Sequence, residues 1–588
     1  MNVKTVLILL VLALATIFAL VCVLLTRGRA PSTCQHQPPE QEDTDDGQSL
    51  VFADLTPEEM VQVVRYLQGN LGVQLVDASP RPSREALAVL YFGNQPDPNV
   101  TEYVVGPLPT PAYHRDVTVQ KYGGKVPYHR RPVTGKEYMD INALIQRELR
   151  KAPRFFAACC ESDGTNLAIL TTAPRGFKSG DRATWFVLFH NVAGTGYYLF
   201  PVGLEVLVEH GDLRISHWWL RQVFYNGRYF ASTGDLEDAF VANLLDVVRI
   251  EKPQAEAVLG SMRPRRPPGS PGPLQYEPQG PRYSIRDNRV TFQGWSIALS
   301  TRYLEGSFGI GRFAYELVRG LDCPYTATYV DRHYLAESET PKTNQNSLCI
   351  FEHDAALPLR RHFSDSQSLY YGGLRKNMLV IRAISTLINY DYIWDFMFHG
   401  SGAVEVRVHA TGYITRTLGT MHLHHIHYKV DLDVDGQLNS VETQDMEYEL
   451  VKDPWSMQNT IERPYLRRER LEREDEAAFP LNALMPRYLS FASPKPNKWG
   501  HPRSYRIQIA SFAGEHLPAS SPMERSISWG RYQLAVTRRK EEEPTSTSIY
   551  NQNDPWTPTV AFADFIDNET IANEVSWGPL GGGQLSTM

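Results

Sequence analysis

Met378-Leu-Val-Ile-Arg-Ala-Ile384 is a short β-branched run, and runs of the same kind recur at Ala403–His409 and His422–Val434. Helical periodicity nearly vanishes between 284 and about 465. That pattern predicts a mainly β architecture, with an antiparallel β-sandwich over 284–588. No internal repeat is visible. Upstream, 253–283 holds eight prolines around Pro267-Pro-Gly-Ser-Pro-Gly-Pro273 and reads as an interdomain linker. Before the linker the character is α+β, consistent with two small domains at 51–107 and 108–252. Thr56-Pro57-Glu58-Glu59 is a capping box with Pro in the first turn, followed by Met60, Val63, Val64 and Leu67 at helical spacing, and Gly69 is the expected stop. A second helix is predicted over Glu137–Leu149. Leu87–Phe92 and Trp185–Phe189 read as strands.

The N-terminus bounds the location. Thr5 to Leu25 carries no charge and is nearly all apolar, and a helix of that length spans roughly 31 Å, about one hydrocarbon core. Arg27 and Arg29 follow without a good cleavage signal, so residues 1–30 read as a cytoplasmic tail and signal-anchor helix, a cleaved signal peptide being the alternative. Residues 31–50 form a polar stalk. The sequons at Asn99 and Asn568, if both used, put everything after residue 30 outside the cell, a single-pass type II arrangement in the cell membrane. Net charge is −7 with no long Lys/Arg block, which gives no reason to expect nucleic acid. The six cysteines include adjacent Cys159 and Cys160, either buried thiols or a constrained bond, and Cys323 and Cys349, which would close a plausible loop in an oxidising compartment.

Three features could carry chemistry. In His422-Leu-His-His-Ile-His427, i and i+2 share a face of a strand, so His422 and His424 could bind one metal while His425 and His427 face the other way. An imidazole pair suits copper or zinc, with copper the tighter binder; surface histidines are the plain alternative. Asp431-Leu-Asp-Val-Asp-Gly436 with Glu442 matches the EF-hand spacing, but the residues before it alternate like a strand, so an EF-hand is rejected while a calcium site of other geometry, or a solvated turn, stays open. The third feature is Leu387-Ile-Asn-Tyr-Asp-Tyr392, followed some thirty residues later by the H-x-H.

The tetrad Asn389-Tyr390-Asp391-Tyr392 and the H-x-H together resemble the copper-containing (topaquinone) amine oxidases, in particular the vertebrate membrane primary amine oxidases of vascular adhesion and retina types. The likeness extends through Ala173–Trp185, Leu357–His362, Lys498–Arg503 and Asn551–Thr559. It implies that 284–588 is the catalytic β-sandwich domain and that Tyr390 is the topaquinone precursor, which forms a Schiff base with a primary amine; O₂ then reoxidises the cofactor, giving aldehyde, ammonia and hydrogen peroxide. It implies copper on His422 and His424, and Tyr303 as the tyrosine that hydrogen-bonds the quinone. Ile388 falls at the gate of the substrate channel. Asp431, Leu432 and Asp433 match one calcium site, and Glu474, Glu543, Phe565 and Glu569 a second. Cys323–Cys349 matches a disulfide, Asn99 and Asn568 match glycosylated asparagines, and a homodimer is implied.

The departures point to a second reading. Glu305 stands at the proton-acceptor position where the family has Asp, and the extra methylene moves the carboxylate by about 1.5 Å, where about 1 Å can cost roughly 10²-fold in rate. No histidine follows His516, so the family's third copper ligand lacks a counterpart; His425, His427 or His399 could in principle substitute, but a strand puts His425 and His427 on the wrong face. The chain is shortened in its first small domain, before Thr301 and at Gly412–Gly419, where the family has a dimer-embracing β-arm, and its tail Asn573–Met588 diverges. The second reading is thus an impaired relative acting as an adhesion or interaction glycoprotein.

Overall fold

Thr56 opens helix α1 (Pro57–Leu71): its hydroxyl accepts from the Glu59 N–H at 3.2 Å, and the Glu59 carboxylate accepts from the Thr56 N–H at 2.9 Å. The reciprocal cap satisfies two donors that a helix start otherwise leaves without partners. The helix runs past Gly69 and stops at Gly72, whose φ of +67° is the left-handed conformation a glycine terminates with. Gly69 therefore lies within the last turn and ends nothing.

The chain is described by a computed structural model over residues 53–571, apart from 74–75, 82–83, 162–163, 172–175, 193–195, 250–276, 287–288, 301–312, 367–369, 415–423, 437, 454, 510–514 and 541–542. It divides into two units, Met1–Ser49 and Leu50–Met588, and every described residue belongs to the second. The expected anchor, the stalk, most of the linker, Tyr303, Glu305, His422 and the tail lie outside the described residues. Among the described residues no helix is long and apolar enough to cross a membrane.

Helix α1 lays Met60, Val63, Val64 and Leu67 on the antiparallel strands β1 (Val76–Arg81), β2 (Glu85–Phe92) and β3 (Asn99–Gly106). Next, α2 (Gly135–Leu149), capped by the Thr134 hydroxyl, and α3 (Pro153–Cys160) bury Ile141, Ile145, Phe155 and Phe156 against a five-stranded sheet: β4 (Leu167–Thr171), β5 (Ala183–His190), β6 (Pro201–Glu209), β7 (Trp219–Tyr225) and β8 (Arg228–Phe230). Buried charge pins this layer. Arg182 is fully buried and donates to both oxygens of Glu137, whose Oε1 also lies 2.7 Å from His210 Nδ1. Burial alone would raise the Glu137 carboxyl; His210, Arg182 and Arg131 outweigh it and hold the group at about 2. Cys159 and Cys160 are joined in a disulfide, which settles the choice the sequence leaves open.

Beyond Val241 no α-helix occurs among the described residues, as the loss of helical periodicity predicts. An antiparallel run of β9 (Thr328–Ser338), β10 (Lys342–Ser364), β11 (Tyr370–Leu387), β12 (Tyr390–His399) and β13 (Val404–Gly412) carries the site. Its edge strand β9 pairs with β1, so these five strands, β1–β3 and the short strands Tyr113–Asp116 and Val126–Pro127 form one ten-stranded sheet. The inner half of the β10–β11 pair is core, with Ile350, Leu379 and Ile381 buried. Its outer half exposes Leu357, Phe363, Tyr371 and Leu374. A four-stranded sheet in the order β15-β14-β16-β17 follows, made of β14 (Ser440–Asp453), β15 (Ser456–Leu471), β16 (Tyr488–Pro496) and β17 (Pro502–Ile507). The Cys323–Cys349 disulfide ties the segment before β9 to β10.

One strand expectation fails. The described part of His422–Val434, from His424 onward, joins no ladder. The alternation that suggests a strand is real nonetheless: Ile426 and Tyr428 pack on Tyr392, Trp394 and Val408, while His425 and His427 turn to Trp529. Two-sided burial alone produces that period, without a neighbouring strand to accept the hydrogen bonds.

Candidate active site

The turn between β11 and β12 is a two-residue connection, Ile388-Asn389, closed by the Leu387↔Tyr390 pair. Ile388 has φ +62°, a conformation that mirror-image hairpin turns demand and that glycine or asparagine usually supplies. For a β-branched residue it is an outlier. Three contacts hold it. The Asn389 side chain donates to the Tyr413 carbonyl at 2.7 Å, the Tyr413 N–H donates to the Asn389 carbonyl at 2.6 Å, and Thr386 Oγ1 donates to Asp391 Oδ1 at 2.5 Å. Gly412, paired with Tyr390, has φ +95°; a Cβ there would stand 2.5 Å from the Asn389 carbonyl oxygen. Only glycine lets the two backbones approach so closely.

Tyr390 and Tyr392 converge on one imidazole. The Tyr390 ring meets His424 edge to face with centroids 4.6 Å apart, and the Tyr392 hydroxyl is hydrogen-bonded to His424 Nδ1. Burial, with Tyr390 beside it, pushes the Tyr392 phenol up to about 12, so it stays protonated. A partner on one ring nitrogen fixes the orientation of the other, as at metal-bound histidines. The donor type suits copper: an imidazole facing the tyrosine that the sequence marks as precursor.

The substitutes for a third ligand are not brought there. His425 lies against His516 and Trp529, and His427 stacks on Trp529 at 4.7 Å with Nε2 3.2 Å from Ser546 Oγ. His399 ends β12, about 30 Å along the strand from Tyr390 at roughly 3.3 Å per residue, and pairs with Glu405. His516, the last histidine, is bound through Nε2 to Glu524.

The acidic residues separate into two places. Asp431 and Asp433 are exposed, Leu432 between them leans on the Val434 and Val441 core, and Asp431 pairs with Arg539 at 2.9 Å. Among the described residues no helix flanks this turn, consistent with rejecting an EF-hand. Elsewhere Glu474, Asp567 and Glu569 bring carboxylate oxygens within 4.8 Å of one another. Glu474 is fully buried, and burial pushes both Glu474 and Glu543 up to about 7. Lys540 reaches Asp567 at 2.8 Å and Glu569 at 3.1 Å. Phe565 is buried nearby in sequence, against Phe562. Asp567 is the member that sequence reading misses; its only signal is a second acid two residues before Glu569. Asn568 is exposed and Asn99 half-buried at the start of β3.

Comparison with known proteins decides the family. Residues 298–581 match the model of the copper amine oxidase enzyme domain, 136–243 its N3 domain and 74–114 its N2 domain. The chain belongs to the copper amine oxidase family. It is 47% identical to copper-containing amine oxidase 3 of Bos taurus, over 98% of this chain and 89% of that one. It is 44% identical to copper-containing amine oxidase 2 of Homo sapiens, over the same 98% and 89% shares. The bovine alignment spans 679 positions against 588 residues here, so that relative has stretches this chain lacks. Among solved structures, a Pichia pastoris lysyl oxidase superposes with a TM-score of 0.76 at 21% identity, covering 91% of this chain and 86% of that one. The copper amine oxidase fold and an amine-oxidising activity follow from this membership, and the family implies copper and topaquinone.

Proposed function

We propose that this chain oxidatively deaminates primary amines at the cell surface, with Tyr390 as topaquinone precursor and His422 and His424 as copper ligands. In balance, RCH₂NH₂, O₂ and H₂O give RCHO, NH₃ and H₂O₂. The observation that carries the reading is the Tyr390 ring edge-on to His424 at 4.6 Å, at the first tyrosine of Asn389-Tyr-Asp-Tyr392. Copper supplies one-electron chemistry toward O₂, which zinc lacks, and topaquinone takes up the electrons of the amine. Tyr392 keeps the His424 ring in place through Nδ1. Glu305 is the group assigned to take the substrate α-proton, with Tyr303 beside the cofactor. Asp431, Leu432 and Asp433 are assigned to one calcium and Glu474, Glu543, Phe565 and Glu569 to another, to which the geometry adds Asp567. The exposed apolar rows on the outer half of β10–β11, and Tyr448, Leu450 and Ile461 on β14–β15, support a homodimer. Residues 1–30 are assigned as the anchor of a type II glycoprotein carrying glycans on Asn99 and Asn568.

Phenylhydrazine titration of copper-loaded protein tests the reading. A coloured adduct with copper near one per chain is the expected result. A colourless chain with substoichiometric copper would favour the impaired glycoprotein instead, the reading supported by the absence of any histidine after His516.

A further inference from the structure

Tyr198 lies on the 3₁₀ turn Gly196–Leu199 between β5 and β6, in the second small domain. Its ring is buried. Its hydroxyl crosses to the catalytic sheet and donates to the Ile388 carbonyl at 2.8 Å. Behind it, the Tyr197 hydroxyl donates to Tyr198 Oη at 2.8 Å. The Tyr198 ring also leans on Tyr413, centroids 5.9 Å apart, and on Phe189. The two tyrosines thus form a hydroxyl relay that ends on the one non-glycine residue at positive φ in the β11–β12 turn, two positions before Tyr390.

The location matters because Ile388 is where the turn is weakest. A β-branched residue in the left-handed region costs of order 1–3 kcal/mol and persists only when its surroundings over-determine it. On its own sheet the turn is held by the Asn389–Tyr413 pair and by the Thr386–Asp391 hydrogen bond, none of which is made to Ile388. Ile388 itself is half exposed, so packing of its side chain does not fix it. The Tyr198 hydrogen bond is made to the carbonyl of the residue that carries the left-handed φ. Chained hydroxyls polarise one another, which strengthens the terminal bond. Burial, then the Tyr197 hydroxyl, raises the Tyr198 phenol, so it remains a donor at any pH the protein meets.

We propose that Tyr198 is a positioning residue for Tyr390: by fixing the Ile388 carbonyl from a different domain, it sets where the Tyr390 ring stands against His424. The proposal rests on the oxidase reading for its purpose but not for its test. Tyr198→Phe keeps the ring and removes the donor.

The full chain in detergent is compared by amide hydrogen exchange, which needs neither copper nor quinone. Tyr198→Phe should speed exchange at the Tyr413 amide and across 387–392 by about tenfold, the scale of one net hydrogen bond, while Met378–Ile384 and α2 stay unchanged. Tyr197→Phe should give the same pattern at smaller amplitude. Ile388→Gly, which takes positive φ without strain, should shrink the Tyr198→Phe effect in the double variant. In copper-loaded protein, Tyr198→Phe should slow quinone formation and shift the visible maximum of the phenylhydrazine adduct, and the Ile388→Gly background should restore both. Exchange unchanged around the turn, exchange speeded throughout the chain, or an effect undiminished by Ile388→Gly would each overturn the assignment. A wild-type chain that gives no adduct overturns the oxidase reading alone, since the exchange comparison decides the role of Tyr198 by itself.

Discussion

His424 and Glu474 both stand on irregular chain where ligating side chains gather, but against different surroundings. His424 is one imidazole facing two phenols, and those phenols project from β12, whose backbone is hydrogen-bonded on both sides to β11 and β13. Glu474 is one carboxylate among several, on irregular chain between β15 and the Glu569–Ile571 segment, where the Glu474 N–H donates to the Glu569 carbonyl at 3.2 Å. The first place offers an imidazole packed against a strand framework that allows little adjustment. The second offers anionic oxygens on loops that can close around a hard cation. Imidazoles with fixed geometry suit copper, and flexible carboxylates suit calcium. Rigidity therefore belongs with redox chemistry here, and adaptability with structural binding.

The sharpest way to break this contrast is His424→Ala. Copper affinity should fall by more than about 100-fold, beyond the loss typical of removing an outer partner of a metal ligand, and the phenylhydrazine adduct should vanish. Calcium-dependent stability should stay as it was. Metal content by mass spectrometry and thermal unfolding with and without calcium measure the two sides separately. Copper retained in the variant would mean that His424 is not a ligand.

The second test acts on the carboxylates. Calcium at a hundred times its Kd should stabilise the native chain by about 2.7 kcal/mol through binding to the folded state alone. Glu474→Gln should remove most of that gain. The amide can accept from only one of the two N–H groups that Glu474 serves, Arg538 at Oε1 (2.8 Å) and Asp567 at Oε2 (3.0 Å), so the calcium-free variant is the baseline from which the lost gain is read. Copper content should not change. If calcium stabilises the variant as well as the parent, the Glu474, Asp567 and Glu569 cluster is an ion-pair site for Lys540 and nothing more.

The imidazole site is the more legible of the two in sequence, for a physical reason. Asn389-Tyr-Asp-Tyr392 and His422-x-His424 each lie within a few consecutive residues, and a two-residue period puts alternate side chains on one face whether or not a ladder forms. That is why His424 and His425 separate as the sequence predicts, although the described stretch His424–Val434 is not the strand it suggests. The carboxylate cluster joins residues far apart in the chain, and Asp567 is easily passed over beside the Asn568 sequon. Tyr198 has no signal in sequence at all, because its partner is a backbone carbonyl on another sheet and carries no side-chain signature. In the fold, the Thr56 capping box is readable from four residues, whereas the helix stop is not: Gly69 and Gly72 look alike in sequence, and only φ tells a tolerated glycine from a terminating one.

Gly412 offers the smallest but most pointed test, because it asks whether the rigid framework or the ligands set the imidazole site. Its φ of +95° is one that side-chain-bearing residues rarely adopt, and its missing Cβ leaves room for the Asn389 carbonyl and the Asp391 N–H. Gly412→Ala adds one carbon 2.5 Å from the first of these and 2.8 Å from the second, with backbone rather than a flexible side-chain tip on the other side. The strands must part or the turn must shift, at about 1–3 kcal/mol of stability. Tyr390 pairs directly with Gly412, so any shift is felt first at the ring that faces His424. Copper uptake should be nearly normal, since no donor is touched, yet quinone formation should slow severalfold as the ring moves off its place. The calcium effect on unfolding, which depends on loops elsewhere, should be intact. Equal slowing of copper uptake and quinone formation would instead make the ladder a support for the metal, and the division between a rigid redox site and an adaptable cation site would have to be drawn at the ligands rather than at the strands behind them.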